Sequence, residues 1–259
     1  MKGGFFFGCY LLITVLLNAQ VPLTLLKDLN TSPGQGGVYP QEIVSMNGTL
    51  YFAGDALWKS NGTAAGTTRV KEIINNDGPI LPRQLTAGKA KLFFLAENRD
   101  GFQLWTSDGS SNGTFAVETG LRNSFSIDTL VTINNTAFLF VRFGKKIELW
   151  QSDGTTGGTK VVKQITADSD ASPLDWIKTK LIVLNENVYF SVYDPLGSGS
   201  LWKTDGTDSG TLLVKESTRP EELIAFNNIL FFSESGSRLW RTDGTEDGTK
   251  LFTFTPGLG

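Results

Sequence analysis

The chain has 259 residues, 23 basic and 26 acidic side chains, one cysteine and no histidine. Without histidine there is no Ser-His-Asp or Cys-His centre and no His-ligated zinc, copper or iron site. A net charge of −3 supplies no basic field for nucleic acid.

The first residues read as a secretory signal peptide. Lys2 gives a positive start, Phe5 to Leu17 is an apolar run of 13 residues, and Asn18-Ala19-Gln20 follows with cleavage expected after Ala19. A membrane-spanning helix needs about 20 apolar residues, so this run is too short to span. Cys9 lies too early in the run to be a good lipid-anchor site. The expected mature domain is 20–259, a single domain located outside the cytoplasm: periplasmic, extracellular or on the cell surface. It carries 22 basic and 26 acidic residues and no cysteine, hence no disulfide.

Next comes Leu23-Thr24-Leu25-Leu26-Lys27-Asp28, which resembles the closing strand of the repeats that follow. Five copies of one phrase then run down the chain: LWKSNGTAAGT, LWTSDGSSNGT, LWQSDGTTGGT, LWKTDGTDSGT and LWRTDGTEDGT, starting at Leu57, Leu104, Leu149, Leu201 and Leu239. Each Trp lies eight residues before the Gly of the closing Gly-Thr, whereas successive Trp residues are 47, 45, 52 and 38 apart. One segment of the repeat therefore admits no insertion and another admits many.

Within each repeat the parts keep one order. An apolar stretch comes first: Ile43-Val44-Ser45-Met46, Leu130-Val131-Thr132-Ile133, Leu181-Ile182-Val183-Leu184, Leu223-Ile224-Ala225-Phe226. A turn follows at Asn47-Gly48, Ala87-Gly88, Asn134-Asn135, Asn185-Glu186 or Asn227-Asn228, residue types that mostly reach positive φ at little cost. An aromatic strand is next: Leu50-Tyr51-Phe52, Leu92-Phe93-Phe94, Phe138-Leu139-Phe140, Val188-Tyr189-Phe190, Leu230-Phe231-Phe232. A variable loop, the Leu-Trp strand, the fixed Asp-Gly-Thr turn and a closing strand such as Lys160-Val161-Val162 complete the unit. The last closing strand is Lys250 to Phe254, ahead of Pro256-Gly257-Leu258-Gly259. Five repeats thus carry six closing strands, one more than a closed five-bladed ring can place, and the chain reads as a fragment of a longer array.

Four short strands per repeat, β-branched and aromatic, predict an all-β protein. Three adjacent apolar residues in a strand point to both sheet faces, so both faces must be covered. A β-propeller of four-stranded blades packed face to face does this, and a linear β-solenoid is the alternative.

The phrase Leu-Trp-x-Ser/Thr-Asp-Gly-Thr-x-x-Gly-Thr resembles that of the bacterial ELWxxDGT repeat proteins, with Glu148-Leu149-Trp150 keeping even the leading Glu. The resemblance covers essentially the whole mature chain. It implies an exported, propeller-like repeat protein and no known enzymatic activity. Asn61 departs from the phrase's Asp, Ser110 from its Thr, and the leading Glu is mostly absent.

The repeated turn position, Asn61, Asp108, Asp153, Asp205 and Asp243, reads as structural: the side chain accepts backbone N–H bonds, Gly takes positive φ and Thr caps locally. A Ca²⁺ ligand is the other chemistry of such a carboxylate, but a Ca²⁺ loop supplies several acids and these turns mostly offer one. No metal or other cofactor is expected. Five of the six Trp residues share one repeat position, as sheet packing requires, and Trp176 stands apart as a surface candidate. Sequons at Asn30, Asn47, Asn61, Asn112 and Asn134 fall at loops or turns, where turn chemistry explains them.

In an up-and-down sheet the first and third connections share one edge and the second and fourth share the other. The rigid turns are the first and third. The second varies: Phe52 to Leu57 is five residues, Phe94 to Leu104 ten, Phe140 to Leu149 nine, Phe190 to Leu201 eleven and Phe232 to Leu239 seven. Variation on a rigid scaffold marks a binding surface. The candidate ligand residues there are Arg99, Asp100, Arg142, Trp176, Asp194 and Arg238. The functional expectation is a secreted, non-catalytic propeller that binds a glycan or protein. The alternatives are a polysaccharide-active enzyme with paired carboxylates drawn from Asp168, Asp170, Asp194, Glu221 and Glu222, or a structural segment of a larger surface protein.

Overall fold

The computed structural model describes residues 40–75, 78–98, 101–119, 125–143, 146–165, 181–193, 199–216, 218–234 and 238–252. The expected signal peptide, the strand-like segment at Leu23 and the chain's last seven residues lie outside these.

The described residues contain no helix and form five four-stranded antiparallel sheets, each with its strands in chain order. The first sheet is β1 (Gln41–Met46), β2 (Thr49–Ala53), β3 (Leu57–Ser60) and β4 (Thr68–Lys71). A two-stranded ribbon, β5 (Ile74–Asn75) and β6 (Gly78–Pro79), follows. The second sheet is β7 (Pro82–Ala87), β8 (Leu92–Asn98), β9 (Gly101–Ser107) and β10 (Phe115–Ala116). The third is β11 (Phe125–Ile133), β12 (Thr136–Phe143), β13 (Lys146–Ser152) and β14 (Lys160–Gln164). The fourth is β15 (Ile182–Leu184), β16 (Asn187–Tyr193), β17 (Gly199–Thr204) and β18 (Leu212–Lys215). The fifth is β19 (Pro220–Phe226), β20 (Ile229–Glu234), β21 (Arg238–Thr242) and β22 (Lys250–Leu251).

The first strands of successive sheets touch in order, β1 to β7, β7 to β11, β11 to β15 and β15 to β19. Between sheets lie four apolar layers with one design. The Leu of a Leu-Trp strand faces the following sheet, and the Trp faces the preceding one. Leu57 thus packs in a layer with Leu92, Phe94 and the half-buried Trp105, and Leu149 in a layer with Val188, Phe190 and Trp202. Alternation along one strand therefore feeds two cores at once. The second, third and fourth sheets each have both faces covered by their neighbours.

Tight turns behave as their residues dictate. Asn47, Asn134, Asn185 and Asn227 all have φ between 48° and 55°, a region Asn enters more readily than most residues. In the second repeat the expected turn at Ala87-Gly88 is instead the four-residue loop 88–91 between β7 and β8, closed by Gly88 N–H donating to Lys91 O at 2.7 Å.

Register corrects one sequence alignment. Leu50, Leu92, Val188 and Leu230 pair with the last Ser or Thr of the neighbouring strand, at Ser60, Ser107, Thr204 and Thr242. In the third sheet that partner, Ser152, faces Ala137. The equivalent triple is therefore Ala137-Phe138-Leu139, not Phe138-Leu139-Phe140. Ala137 is fully buried, so a small residue fills a core position that the apolar run alone does not reveal.

Most of the variable connections are also strand. β8 and β9 stay paired to Asn98 and Gly101, and β12 and β13 to Phe143 and Lys146. The hairpins differ chiefly in how far their strands extend, because alternating apolar side chains such as Leu95 and Val141 keep both strands anchored in the core.

Candidate functional site

The five fixed turns are built from one set of bonds. In the third sheet, Thr155 donates its N–H and its Oγ1–H to Asp153 Oδ1 at 2.8 and 2.7 Å. Gly158 N–H donates to Thr155 Oγ1 at 3.0 Å, and Thr159 Oγ1–H to Thr155 O at 2.6 Å. Beneath them Ser152 and Thr159 share a hydroxyl bond of 2.7 Å, and Gly154 N–H donates to Ser152 Oγ. Asp108, Asp205 and Asp243 accept the same pair of bonds, from Ser110, Thr207 and Thr245. Asn61 accepts them from Thr63 at 3.1 and 2.7 Å. Ser110 thus stands in for Thr with its one essential atom, the hydroxyl oxygen.

These bonds set the charge of the turn. The donor hydroxyl, then the donor N–H, hold the carboxyls of Asp108, Asp153, Asp205 and Asp243 below the usual aspartate range. Hydrogen bonds to the ionised form favour it. Two glycines per turn are equally constrained. Gly109, Gly154, Gly206 and Gly244 sit at φ 86° to 93°. Gly113, Gly158, Gly210 and Gly248 lie so close to the Asp carboxyl that a Cβ would overlap it. The fixed spacing from Trp to Gly follows from this closed network.

From the second sheet on, the fixed turns also receive the preceding sheet, the third through Lys91 Nζ donating to Asp153 O. Lys59 Nζ donates to Gly109 O at 3.1 Å, and Lys71 Nζ to Thr114 O at 2.8 Å. Lys163 Nζ reaches Asp208 O and Thr211 O at 3.0 and 3.2 Å, and Lys215 pairs with Glu246 at 3.5 Å. The lysine that follows the buried valine of a closing strand, as Lys71, Lys163 and Lys215 do, is therefore an inter-sheet tie, a role its sequence position does not announce.

On this same edge lies a groove of about 420 Å³, lined by Asn134, Gln151, Asn185, Glu186 and Asp205 among others. In the sequence Asn134, Asn185, Glu186 and Asp205 read as turn formers, and Gln151 carries no distinguishing signal. Their signal was present in the topology: the first and third turns share an edge, so their amides and carboxylates converge.

Two of the predicted ligand residues, Arg142 and Arg238, lie on the opposite edge. Arg142 lies half-buried within β12, opposite Ile147. Its position is strand and not loop, because β12 continues through it. Arg238 opens β21, is exposed, and faces Glu234 across the hairpin at 3.6 Å. Arg99, Asp100, Trp176 and Asp194 lie outside the described residues, as do Asp168 and Asp170. Glu221 pairs with Arg219 at 3.7 Å, and Glu222 offers its N–H to Ser233 Oγ. Among the described residues no group of three His, Cys, Asp or Glu side chains is placed to hold a metal ion.

The Trp indoles reveal what the leading Glu of the phrase does. Buried Glu148 accepts Trp150 Nε1–H at 2.9 Å and binds Lys146 at 2.6 Å. Where that Glu is absent, Asp55 accepts from Trp58 at 2.8 Å and Glu234 from Trp240 at 2.7 Å. Trp105 Nε1 is buried without a partner.

No protein-family model matches the chain, and no curated protein matches it. Among solved structures it is similar to a crystal structure of a nidogen/laminin complex, at 12% identity and a TM-score of 0.44, over 78% of this chain and 74% of that one. No helix of the described residues is long and apolar enough to cross a membrane.

Proposed function

We propose that this chain is a secreted, propeller-like repeat protein of the ELWxxDGT kind. On this reading it serves as a non-catalytic binding module that recognises a glycan or a protein through the edge opposite the fixed turns. One contrast carries the proposal. One edge repeats a single bond network five times, while the hairpins of the other edge differ in length and in the residues at their tips. A scaffold pinned along one edge can vary the other without losing register. Arg238 gives that edge exposed charge beside the largely covered Glu234, and Arg142 contributes a half-buried cation.

A second reading rests on the groove between the third and fourth sheets. Its amide and carboxylate lining suits hydroxyl-rich ligands, since each amide offers both a donor and an acceptor. The paired-carboxylate enzyme draws no support from Glu221, whose nearest charge partner is a cation.

A screen of the purified chain against polysaccharides and extracellular proteins, with and without Ca²⁺, tests the reading. Loss of a detected ligand in Arg238→Glu, with retention in Asn185→Ala, supports the variable edge. The reverse supports the groove. Cleavage of a bound polysaccharide supports the enzyme, and failure to bind any candidate removes the proposal.

A further inference from the structure

One register position decides what reaches each fixed turn from the sheet before it. The middle residue of the aromatic triple pairs with the residue after Trp: Tyr51 with Lys59, Phe93 with Thr106, Phe138 with Gln151 and Tyr189 with Lys203. At three of the four junctions a lysine of the preceding sheet stands at the turn carboxylate. Lys59 reaches the Asp108 turn and Lys91 the Asp153 turn, each through a backbone carbonyl. At the last junction Lys203 Nζ lies 3.6 Å from where a Cβ on Gly244 would stand. After the hydroxyl and N–H bonds of the turn itself, the charges of these lysines favour the ionised Asp108, Asp153 and Asp243. An ammonium beside the turn carboxylate is thus the chain's own repeated solution.

The third junction lacks it. Gln151 stands in the place of Lys59 and Lys203. Thr136 stands in the place of Lys91, one residue ahead of Ala137 as Lys91 is ahead of Leu92. Phe138 also lacks the hydroxyl that Tyr51 and Tyr189 set over Gly109 and Gly244. The tie from Lys163 lies farther along the turn, on Asp208 and Thr211. After the turn's own bonds, the charge acting on Asp205 is that of Lys203 in its own strand, which faces the fifth sheet. The space left open is the groove of about 420 Å³. Its lining holds two carboxylates, Glu186 and Asp205, and, among the described residues, no lysine or arginine. The amides of Asn134, Gln151, Asn185 and Asn187 surround them.

We propose that this groove binds an amino sugar with a free amine, whose ammonium settles against Asp205 and Glu186 as the chain's own lysines settle against the other turns. The proposal rests on the groove of the second reading and is independent of the variable edge. An ammonium offers three donors and no acceptor, the complement of two carboxylates. A neutral ligand would cover those carboxylates and return no charge, which is unfavourable. The amides select the body that carries the amine. Each presents a donor and an acceptor together, as sugar hydroxyls do. The apolar stem of a lysine side chain would leave them unpaired.

Calorimetric titration of the purified full chain with the glucosamine trisaccharide at low salt tests this, with the N-acetylated trisaccharide and a trilysine peptide as comparison ligands. The glucosamine form is expected to bind. The acetylated form is expected to bind at least about tenfold more weakly, because acetylation removes a charge-assisted hydrogen bond. Gln151→Lys restores the internal ammonium and is expected to abolish binding with the thermal midpoint unchanged or raised, since lysine already occupies this place at Lys59 and Lys203. Glu186→Gln, at an exposed turn, is expected to weaken binding and spare the fold. Arg238→Glu, on the far edge, should change nothing. Equal affinity for the acetylated form overturns the amine and leaves the hydroxyl-rich reading of the groove standing, whereas failure of both trisaccharides to bind removes both. Binding that survives Gln151→Lys, or is lost in Arg238→Glu, puts the sugar elsewhere and overturns the proposal. So does capture of trilysine in preference to the trisaccharide.

Discussion

The Tyr51 side chain of the first sheet closes directly over Gly109, in the fixed turn of the second. A Cβ added at Gly109 would overlap the Tyr51 hydroxyl, whereas the equivalent Gly62 faces open space. The two glycines have nearly the same backbone, φ 89° and 87°, so the pair separates backbone strain from steric exclusion. Gly62→Ala should cost about 1–2 kcal/mol, the penalty of an L-residue at positive φ. Gly109→Ala should cost about 1–3 kcal/mol more, because it overpacks a junction between sheets. Urea unfolding of the two variants checks this, and equal losses would mean that the junction yields.

Such pairs explain what the sequence could and could not disclose. The fixed turn was legible because its chemistry is local: Asp153, Thr155 and Gly158 bond one another within six residues. The four-strand unit was legible for the same reason. The third repeat slipped by one place because Ala137 is small, and only pairing with Ser152 reveals it as a core residue. The loops looked long because strand and loop residues alternate alike there, and only the ladder from Asn98 to Gly101 separates them. The lysine ties from Lys71 and Lys163 join residues 43 and 48 apart, a distance at which composition carries no signal. Of the candidate ligand residues, Arg142 and Arg238 sit on the expected edge.

The turn carboxylate should matter through its acceptor oxygen more than its charge. Asp153→Ala loses two bonds and should destabilise by about 1 kcal/mol. Asp153→Asn keeps an oxygen in place, as Asn61 does with Thr63, and should cost less. The pH dependence has a definite sign. Asp153's carboxyl is held below its ordinary range in the folded chain, so its contribution is present above the unfolded value. It is lost as pH falls through the lower, folded value. Solvent screening keeps the effect small at so exposed a site. Asp153→Asn should therefore narrow its deficit against wild type as the solution is acidified below about pH 4. A deficit that widens there, or stability that rises with Ca²⁺ in wild type alone, would assign the turn a different role.

Export is open to direct measurement. Protein recovered from the periplasm or medium of a Gram-negative host should begin near Gln20, by N-terminal sequencing. Soluble cytoplasmic protein that retains Met1 would contradict the reading.

The Glu148–Trp150 bond tests why one repeat keeps the leading Glu. Glu148 is buried, and its two partners, the Trp150 indole and Lys146, both donate to it. Glu148→Ala removes the acceptor of the part-buried indole N–H and one carboxylate partner of Lys146, which should cost about 1–3 kcal/mol. The loss is bounded, because Trp105 already carries a buried indole without a partner and its sheet still forms. Glu148→Gln keeps an oxygen for the indole and gives up only the ionic part, so it should retain most of the stability. Trp150→Phe removes the donor from the other side. If the indole bond is what the Glu supplies, Glu148→Ala and Trp150→Phe share a loss, and the double variant should fall short of their sum by about 1 kcal/mol. Strict additivity in urea unfolding would instead assign the stabilisation to the Lys146 pair, and Lys146→Met would then reproduce the effect of Glu148→Ala.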